Sequence, residues 1–200
     1  MPDELRERVA RYYAAKLSEH GATHRGVDWS SAESQAVRFD RLLEVVTTDG
    51  TVLDYGCGYG ALVNRLPDPS HYTGFDLSGE MVAAARERHP EVRFTTVEAE
   101  LESADYVVAS GIFNVKAGAE EDAWVAYVSE SLDRLDALAG RGFSFNMLTS
   151  YSDPPLMRPE LYYADPMRWF DHCKRRYAPH VALLHDYGLY EFTIVVRKEL

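Results

Sequence analysis

Short apolar segments alternate with helical segments from residue 51 onward, and this alternation constrains the fold more than any other feature. Five segments have the length and apolar character of buried strands, namely residues 51–54, 71–76, 92–97, 104–113 and 142–148. Helices are predicted at residues 61–66, at 80–88 with Ser78 as the N-cap, at 124–138, and from residue 165, where the N-cap Asp165 precedes a proline. Such an alternation is typical of a parallel sheet with helices on both faces. The sequence therefore predicts an α/β, doubly wound fold.

The last two apolar segments, residues 181–184 and 192–196, are separated by only a few residues around Gly188. A connection this short joins antiparallel strands, because a parallel crossover needs about a dozen residues or more. The resulting C-terminal hairpin adds one antiparallel strand, and the predicted sheet has seven strands. Ligands of such sheets bind at the carboxyl ends of the strands, beside the first strand.

The region before the sheet, residues 1–48, is predicted to form two helices joined by a loop. Apolar and aromatic residues recur there at helical spacing, and residues 30–33 look like a capping box that opens the second helix. We expect this helix–loop–helix to cover the ligand edge of the sheet as a lid. No repeat, low-complexity tract or linker separates it from the core at residues 49–200, so a single domain is predicted.

Three glycines, at positions 56, 58 and 60, directly follow the first predicted strand. Glycine lets the backbone turn tightly and approach a ligand, and the next helix directs its free N–H groups to the same place. The spacing also satisfies a relaxed dinucleotide fingerprint, so the loop alone does not identify the ligand. The identity of the ligand is narrowed by acidic residues at the ends of the first three strands, Asp54, Asp76 and Glu98. A carboxylate such as Asp76 can accept hydrogen bonds from both hydroxyls of a ribose, and Glu98 could meet an adenine amino group.

The combination Asp54-x-Gly56-x-Gly58-x-Gly60 with Gly74-x-Asp76-x-Ser78 resembles the S-adenosylmethionine (SAM) site of class I methyltransferases. The predicted hairpin also matches that family, whose sheet carries one antiparallel strand near its edge. The resemblance covers residues 51–113 with specific motifs and residues 114–200 by the order of elements alone. It implies SAM as cofactor and methyl transfer to an oxygen or nitrogen atom of a small-molecule acceptor.

The resemblance implies roles for individual residues along the glycine loop and the second strand. The methionine moiety of SAM would lie against the loop that contains Gly56, Cys57 and Gly58, and Asp76 would hold the ribose. Asp54 is either a ligand contact or a brace for this loop.

The remaining residues of the implied SAM site surround the adenine and the sulfonium. Leu77 and Met81 would flank the adenine, with Glu98 and Ala99 near its polar edge. Glu100 is an alternative to Glu98, because the family often has aspartate at the position of Glu98. Two residues after the fourth strand, Ser110 and Gly111, would lie beneath the sulfonium.

The acceptor is less well defined by the sequence than the cofactor. Residues 110–114 lack the Asn/Asp-Pro-Pro-Tyr/Phe motif of methyltransferases that act on amino groups of bases and glutamine. Aromatic residues with a few polar groups in the expected substrate regions suit a small, partly apolar or cationic molecule. The predicted substrate-binding residues are Tyr12, His24, Trp29, Asn114 and Tyr151. Asn114 fits equally well as a cap of the next turn, and His185 is either a candidate base or part of a hairpin turn.

The composition limits the partners of the protein. Against 21 Lys and Arg stand 32 Asp and Glu, a formal charge of −11, which would repel nucleic acid. No apolar run approaches the length of a membrane span, and Gly21 interrupts any helix that could pair His20 with His24 on a metal. Two isolated cysteines suit a reducing cytoplasm. We expect a monomer or homodimer without a metal.

Other functions also fit a fold of this kind. A SAM-binding enzyme could catalyse an intramolecular cyclisation or methylate a protein. A nicotinamide-dependent oxidoreductase is disfavoured by Asp54 and by the terminal hairpin.

Overall fold

The computed structural model describes residues 2–199, whose eight strands form one sheet. The strands are β1 Val52–Tyr55, β2 Tyr72–Phe75, β3 Arg93–Thr95, β4 Ala104–Ala109, β5 Ala139–Thr149, β6 Tyr163–Ala164, β7 His180–Leu184 and β8 Glu191–Arg197. Seven of them follow the order β3-β2-β1-β4-β5-β8-β7, and the two-residue β6 pairs with the end of β5. Only β8 runs antiparallel to its neighbours β5 and β7. The predicted seven-stranded, mostly parallel sheet with one antiparallel strand is confirmed; the short β6 was not predicted.

Five helices cover the sheet: α1 Pro2–His20, α2 Ala32–Leu43, α3 Gly79–Arg88, α4 Glu121–Leu138 and α5 Pro166–Arg176. Side chains of α1, α4 and α5, among them Val9, Trp124 and Trp169, belong to the core on one face. Side chains of α2 and α3, such as Phe39 and Val82, belong to the core on the other face. Helices therefore lie on both faces, as predicted.

Several boundaries differ from the sequence predictions. β4 ends at Ala109 and not at residue 113, because the chain turns at Gly111, whose φ is +72°. Residues 61–66 form only a short 3₁₀ turn, Ala61–Arg65. The cap of α2 is Ser31, which exchanges hydrogen bonds with Ser34, one residue later than the predicted box. The predicted caps Ser78 of α3 and Asp165 of α5 are confirmed, since each side chain accepts a backbone N–H of its helix.

The N-terminal segment is divided between the ligand edge and the core. α1 packs next to α4, and a 3₁₀ turn, His24–Val27, leads from it towards Trp29 at the carboxyl edge. α2 packs on the opposite face of the sheet, where Leu42 is fully buried. The part placed over the edge is therefore α1 with the segment 24–29.

Candidate active site

A cavity opens at the carboxyl ends of β1, β2 and β4, at the place where the topology predicts a ligand. Its empty space, counted together with the open mouth, measures about 650 Å³. Seven of the predicted cofactor residues line it: Gly56, Gly58, Asp76, Leu77, Met81, Ser110 and Gly111. We call this space the donor cavity.

The Asp76 carboxylate connects the two loops that form the floor of the donor cavity. Its Oδ2 accepts the Gly58 N–H at 2.8 Å, and its Oδ1 accepts the Ser78 N–H at 2.9 Å. Burial raises the pKa of Asp76, while these backbone donors act in the opposite direction. Each oxygen keeps further acceptor capacity, because a carboxylate can accept about four hydrogen bonds. Asp76 thus braces the glycine loop and can still accept a ligand's hydroxyl groups.

The glycines of the cavity leave room for close contact with the segment that covers it. A Cβ on Gly58 would lie 3.1 Å from Val27 Cγ1, and one on Gly111 would lie 2.4 Å from Trp29 Cζ2. Val27 and Trp29 therefore rest directly on the two glycine backbones. On the same side, Tyr13 of α1 donates a hydrogen bond to the Gly111 carbonyl at 3.4 Å. The donor cavity is covered by α1 and residues 27–29.

Two predicted cofactor residues, Asp54 and Cys57, lie outside the lining of the donor cavity. Asp54 is 2% exposed, and its Oδ2 accepts the Tyr72 hydroxyl at 2.9 Å. Its Oδ1 has no hydrogen-bond partner among residues 2–199. Burial raises the pKa of Asp54 to about 7, although the Tyr72 hydroxyl lowers it. Burial likewise raises the pKa of the Cys57 thiol.

Glu98 and Ala99 also lie off the donor cavity. Glu98 accepts hydrogen bonds from the Tyr55 hydroxyl and from Arg6 of α1 at 2.6 Å, and Arg134 of α4 is 3.3 Å away. Burial raises the pKa of Glu98, but these donors outweigh it and hold the pKa below its usual value. Ala99 is exposed. The alternative, Glu100, is also exposed and accepts the Thr95 hydroxyl at 3.0 Å.

A second space, which we call the acceptor cavity, adjoins the donor cavity through shared side chains of Tyr13, Val27 and Trp29. Among its other lining residues are Asn114, Arg38 and Glu191. Asn114 is buried, and its Oδ1 accepts the Leu148 N–H at 3.1 Å, which ties the segment after β4 to β5.

The other predicted substrate residues lie outside both cavities. Tyr12 donates a hydrogen bond to Asp28 at 2.7 Å, and His24 lies in the 3₁₀ turn that precedes it. Tyr151 is 70% exposed, with its ring against that of His185. Of the five predicted substrate-binding residues, Trp29 and Asn114 line the acceptor cavity, whereas Tyr12, His24 and Tyr151 do not.

A buried polar network in the acceptor cavity was missed by sequence reasoning. Arg38 of α2 donates two hydrogen bonds to Glu191 of β8, from Nε at 2.7 Å and from Nη2 at 2.6 Å. Asn146 of β5 donates to Glu191 at 2.8 Å and accepts the Gly111 N–H at 2.7 Å. The network therefore joins the acceptor cavity to the loop after β4. Arg38 and Glu191 are 153 positions apart, so no local pattern connects them.

Comparison with known proteins decides the family. Residues 52–137 match the family described as "Methyltransferase domain". The chain is 53% identical over 154 residues, 74% of this chain and 93% of the other, to the Mycobacterium tuberculosis protein Rv1506c, which is named as a methyltransferase. The chain belongs to the class I SAM-dependent methyltransferases. The predicted family, enzyme class and cofactor are confirmed, and SAM is the methyl donor of this methyltransferase.

Solved structures share the fold of the methyltransferase. The Burkholderia thailandensis 1,6-didemethyltoxoflavin-N1-methyltransferase, with its acceptor and S-adenosylhomocysteine bound, has a TM-score of 0.66 at 20% identity, covering 100% of this chain and 91% of that one. The Synechocystis PCC 6803 magnesium protoporphyrin IX methyltransferase with bound S-adenosylhomocysteine has a TM-score of 0.57 at 18% identity, covering 82% and 83%.

Two further observations concern the helices and the possible metal ligands of the methyltransferase. None of the helices within residues 2–199 combines the length and hydropathy that a membrane span requires. In the same residues, His, Cys, Asp and Glu side chains do not gather in groups of three that could hold a metal ion.

Proposed function

We propose that this methyltransferase transfers the methyl group of SAM to an oxygen or nitrogen atom of a small molecule. The observation that carries the proposal is the pair of adjoining cavities beneath α1 and residues 27–29. A concave acceptor cavity of this kind, lined in part by Tyr13, Val27 and Trp29, suits a small molecule better than a polymer. The sequence motifs after β4 also differ from those of enzymes acting on bases or glutamine, as noted above.

The lining of the donor cavity fits SAM in chemical terms. In our assignment Gly56 and Gly58 would hold the methionine moiety, and Asp76 would accept the ribose hydroxyls. The apolar side chains of Leu77 and Met81 would flank the adenine, while Ser110 and Gly111 would lie near the sulfonium. SAM, when bound, supplies an electrophilic methyl group on a positively charged sulfur.

Four predicted cofactor residues do not contact the donor in this proposal, and three of them support the cavity. Asp54 and Cys57 lie in the core under the glycine loop, and the Glu98 carboxylate fixes α1 and α4 through Arg6 and Arg134. Ala99 follows Glu98 in an exposed turn. The adenine amino group then has to be met by other groups, such as backbone atoms.

The chain's own contribution to catalysis is to orient the acceptor and to exclude water. Trp29 and Tyr13 lie where the two cavities meet, so they shield the reacting atoms from solvent. Tyr13 is not a suitable general base, because burial raises the pKa of its hydroxyl. The acceptor atom therefore has to present a lone pair without help from Tyr13.

The proposal extends to partners and location. The formal charge of −11 supports an enzyme without a nucleic-acid partner. The two isolated cysteines fit a reducing cytoplasm, and a monomer or homodimer is part of the proposal.

Calorimetry with SAM on wild-type protein and on Asp76→Ala tests the donor site. We expect SAM to bind the variant about 10- to 150-fold more weakly, because charge-assisted hydrogen bonds contribute roughly 1.5–3 kcal/mol. Asp68→Ala is the matched control: Asp68 makes the same kind of bond, to the Ser70 N–H at 2.9 Å, at the amino end of β2. Affinity for SAM within twofold of wild type in Asp76→Ala would show that the ribose assignment is wrong.

The acceptor is tested by incubating the enzyme and SAM with a metabolite library and analysing the products by mass spectrometry. We expect one or more library members to gain a methyl group with wild-type protein and much more slowly with Asp76→Ala. Transfer of a labelled methyl group to protein or RNA, with none to the small molecules, would contradict the proposal.

A further inference from the structure

The Arg38 guanidinium has one nitrogen that the protein leaves without a partner. The side chain is 7% exposed, and Nε and Nη2 both donate to Glu191. Nη1 is shielded from solvent and finds no hydrogen-bond acceptor among residues 2–199. A buried donor without an acceptor is costly, so such an atom calls for an explanation.

The position of Arg38 suggests what that partner is. Arg38 lines the acceptor cavity, and its guanidinium carbon lies 3.9 Å from the centre of the Trp29 ring. Trp29 in turn lines the donor cavity and rests on Gly111. A ligand atom that accepts a hydrogen bond from Nη1 would therefore lie beside Trp29 and next to the donor cavity.

Hydrogen bonds between Arg38, Glu191 and Asn146 fix the position of Arg38 Nη1 relative to the SAM site. Glu191 is 1% exposed and is held on its other side by Asn146, which also accepts the Gly111 N–H. Arg38 is thus connected through two side chains to the loop after β4. This rigid connection is what a group that positions a substrate requires.

The charges around Arg38 indicate that the missing acceptor is neutral. The Glu191 carboxylate already compensates the guanidinium through two hydrogen bonds. The other acidic group of the cavity, Asp28, is paired with Lys16 at 3.1 Å and lies 3.8 Å from Arg158, which is itself paired with Glu160 at 2.6 Å. A ligand carboxylate would bring a negative charge into a site whose charges are already balanced, whereas a carbonyl oxygen would only accept a hydrogen bond.

We propose that Arg38 Nη1 donates a hydrogen bond to a carbonyl oxygen of the methyl acceptor. The substrate class is then a neutral carbonyl-bearing compound with a flat, apolar face that lies against Trp29. This inference rests on the proposed small-molecule methyltransferase function and makes it more specific. Arg38 acts as a substrate-binding residue and takes no proton.

The test uses wild-type protein saturated with S-adenosylhomocysteine and two fused-ring probes that differ only in one carbonyl group, 1-indanone and indane. Calorimetry is expected to show 1-indanone binding about tenfold more tightly. Arg38→Lys keeps a positive charge for Glu191 but removes the free N–H groups, so the preference should fall to within about twofold. Arg41→Lys, on the same helix but paired with Glu44, is the matched control and should keep the preference.

A second measurement uses wild-type protein only, so it does not depend on the folding of Arg38→Lys. In ¹⁵N-arginine NMR spectra, the Arg38 side-chain signal is expected to shift further on addition of 1-indanone than of indane, because only the carbonyl accepts a hydrogen bond. Equal binding of the two probes, or binding of neither at millimolar concentration, would overturn the inference. So would tighter binding of indane-1-carboxylate, or a preference that survives in Arg38→Lys.

The binding of S-adenosylhomocysteine itself, measured first, separates the two levels of the proposal. If it does not bind, the proposed function fails. If it binds and the carbonyl preference is absent, only the assignment of Arg38 fails.

Discussion

Replacement of Gly111 by alanine probes the contact on which the cover of the donor cavity depends. A Cβ at this position would lie 2.4 Å from Trp29 Cζ2 and 2.7 Å from Cη2. Ordinary contact between carbon atoms begins at about 3.5 Å, so the indole has to move by about 1 Å or more. Gly188 is a matched control, because its φ of +69° is close to the +72° of Gly111 and a Cβ there meets nothing within 4 Å.

The two variants share one energetic cost and differ in another. The left-handed backbone costs an alanine roughly 1–2 kcal/mol at either position. Gly111→Ala also moves Trp29 away from the Arg38 guanidinium, a stacking contact of the kind that contributes about 0.5–2 kcal/mol. We therefore expect Gly111→Ala to be less stable than Gly188→Ala by about 0.5–2 kcal/mol in urea denaturation.

The same pair of variants should differ in SAM binding. Because the displaced indole and the new methyl group lie at the donor cavity, we expect about tenfold weaker SAM binding in Gly111→Ala, a change of about 1.4 kcal/mol. Gly188→Ala should bind SAM as wild type does. Equal stability and equal SAM affinity of the two variants would refute the conclusion that Trp29 is seated on Gly111.

Three further predictions concern other parts of the molecule. Burial raises the pKa of Asp54 to about 7 in the folded protein. The charged carboxylate is therefore less stable in the folded than in the unfolded state, and the free energy of unfolding of wild-type protein decreases as the pH rises from about 4 to 7. Asp54→Asn should therefore raise the melting temperature relative to wild type more at pH 8 than at pH 5, and a constant difference would contradict this. Hydrogen exchange of residues 22–32 should slow when S-adenosylhomocysteine saturates the protein; unchanged exchange would argue against a lid. Gel shifts with bulk tRNA and duplex DNA should show no complex at micromolar protein and physiological salt, and a tight, salt-sensitive complex would overturn the small-molecule assignment.

The parts of the fold that sequence predicted well are those with local signals. The caps Ser78 and Asp165 and the glycine loop each depend on a few neighbouring residues, and the structure places them as expected. The alternation of strands and helices likewise predicted the mostly parallel sheet with helices on both faces. The predicted end of β4 was wrong because Ile112 and Phe113 continue the apolar pattern, whereas the chain already turns at Gly111, whose φ is positive.

The site residues that were not predicted depend on long-range packing. Glu98 follows β3 as expected, but its carboxylate pairs with Arg6 and Arg134 and does not line the donor cavity. Neither partner is near Glu98 in the sequence. Tyr151 belongs to an aromatic segment that the sequence suggests for a pocket, but the chain leaves it exposed. Arg38 on a helix looks like an ordinary surface residue until α2 packs against the start of β8.

Because β8 runs antiparallel to β5 and β7, its first residue lies at the ligand edge of the sheet. Glu191, the first residue of β8, pairs with Leu148 at that edge, whereas Arg197 pairs with Gly142 at the far end. The turn that joins β7 to β8, residues 185–190, therefore also lies at this edge and leads directly into Glu191, which lines the acceptor cavity. Insertions or deletions in this turn can change the surface next to Glu191 without shifting the register of the sheet or the glycine loop. Under the proposed function, the hairpin lets the acceptor side of the enzyme vary while the donor site stays constant.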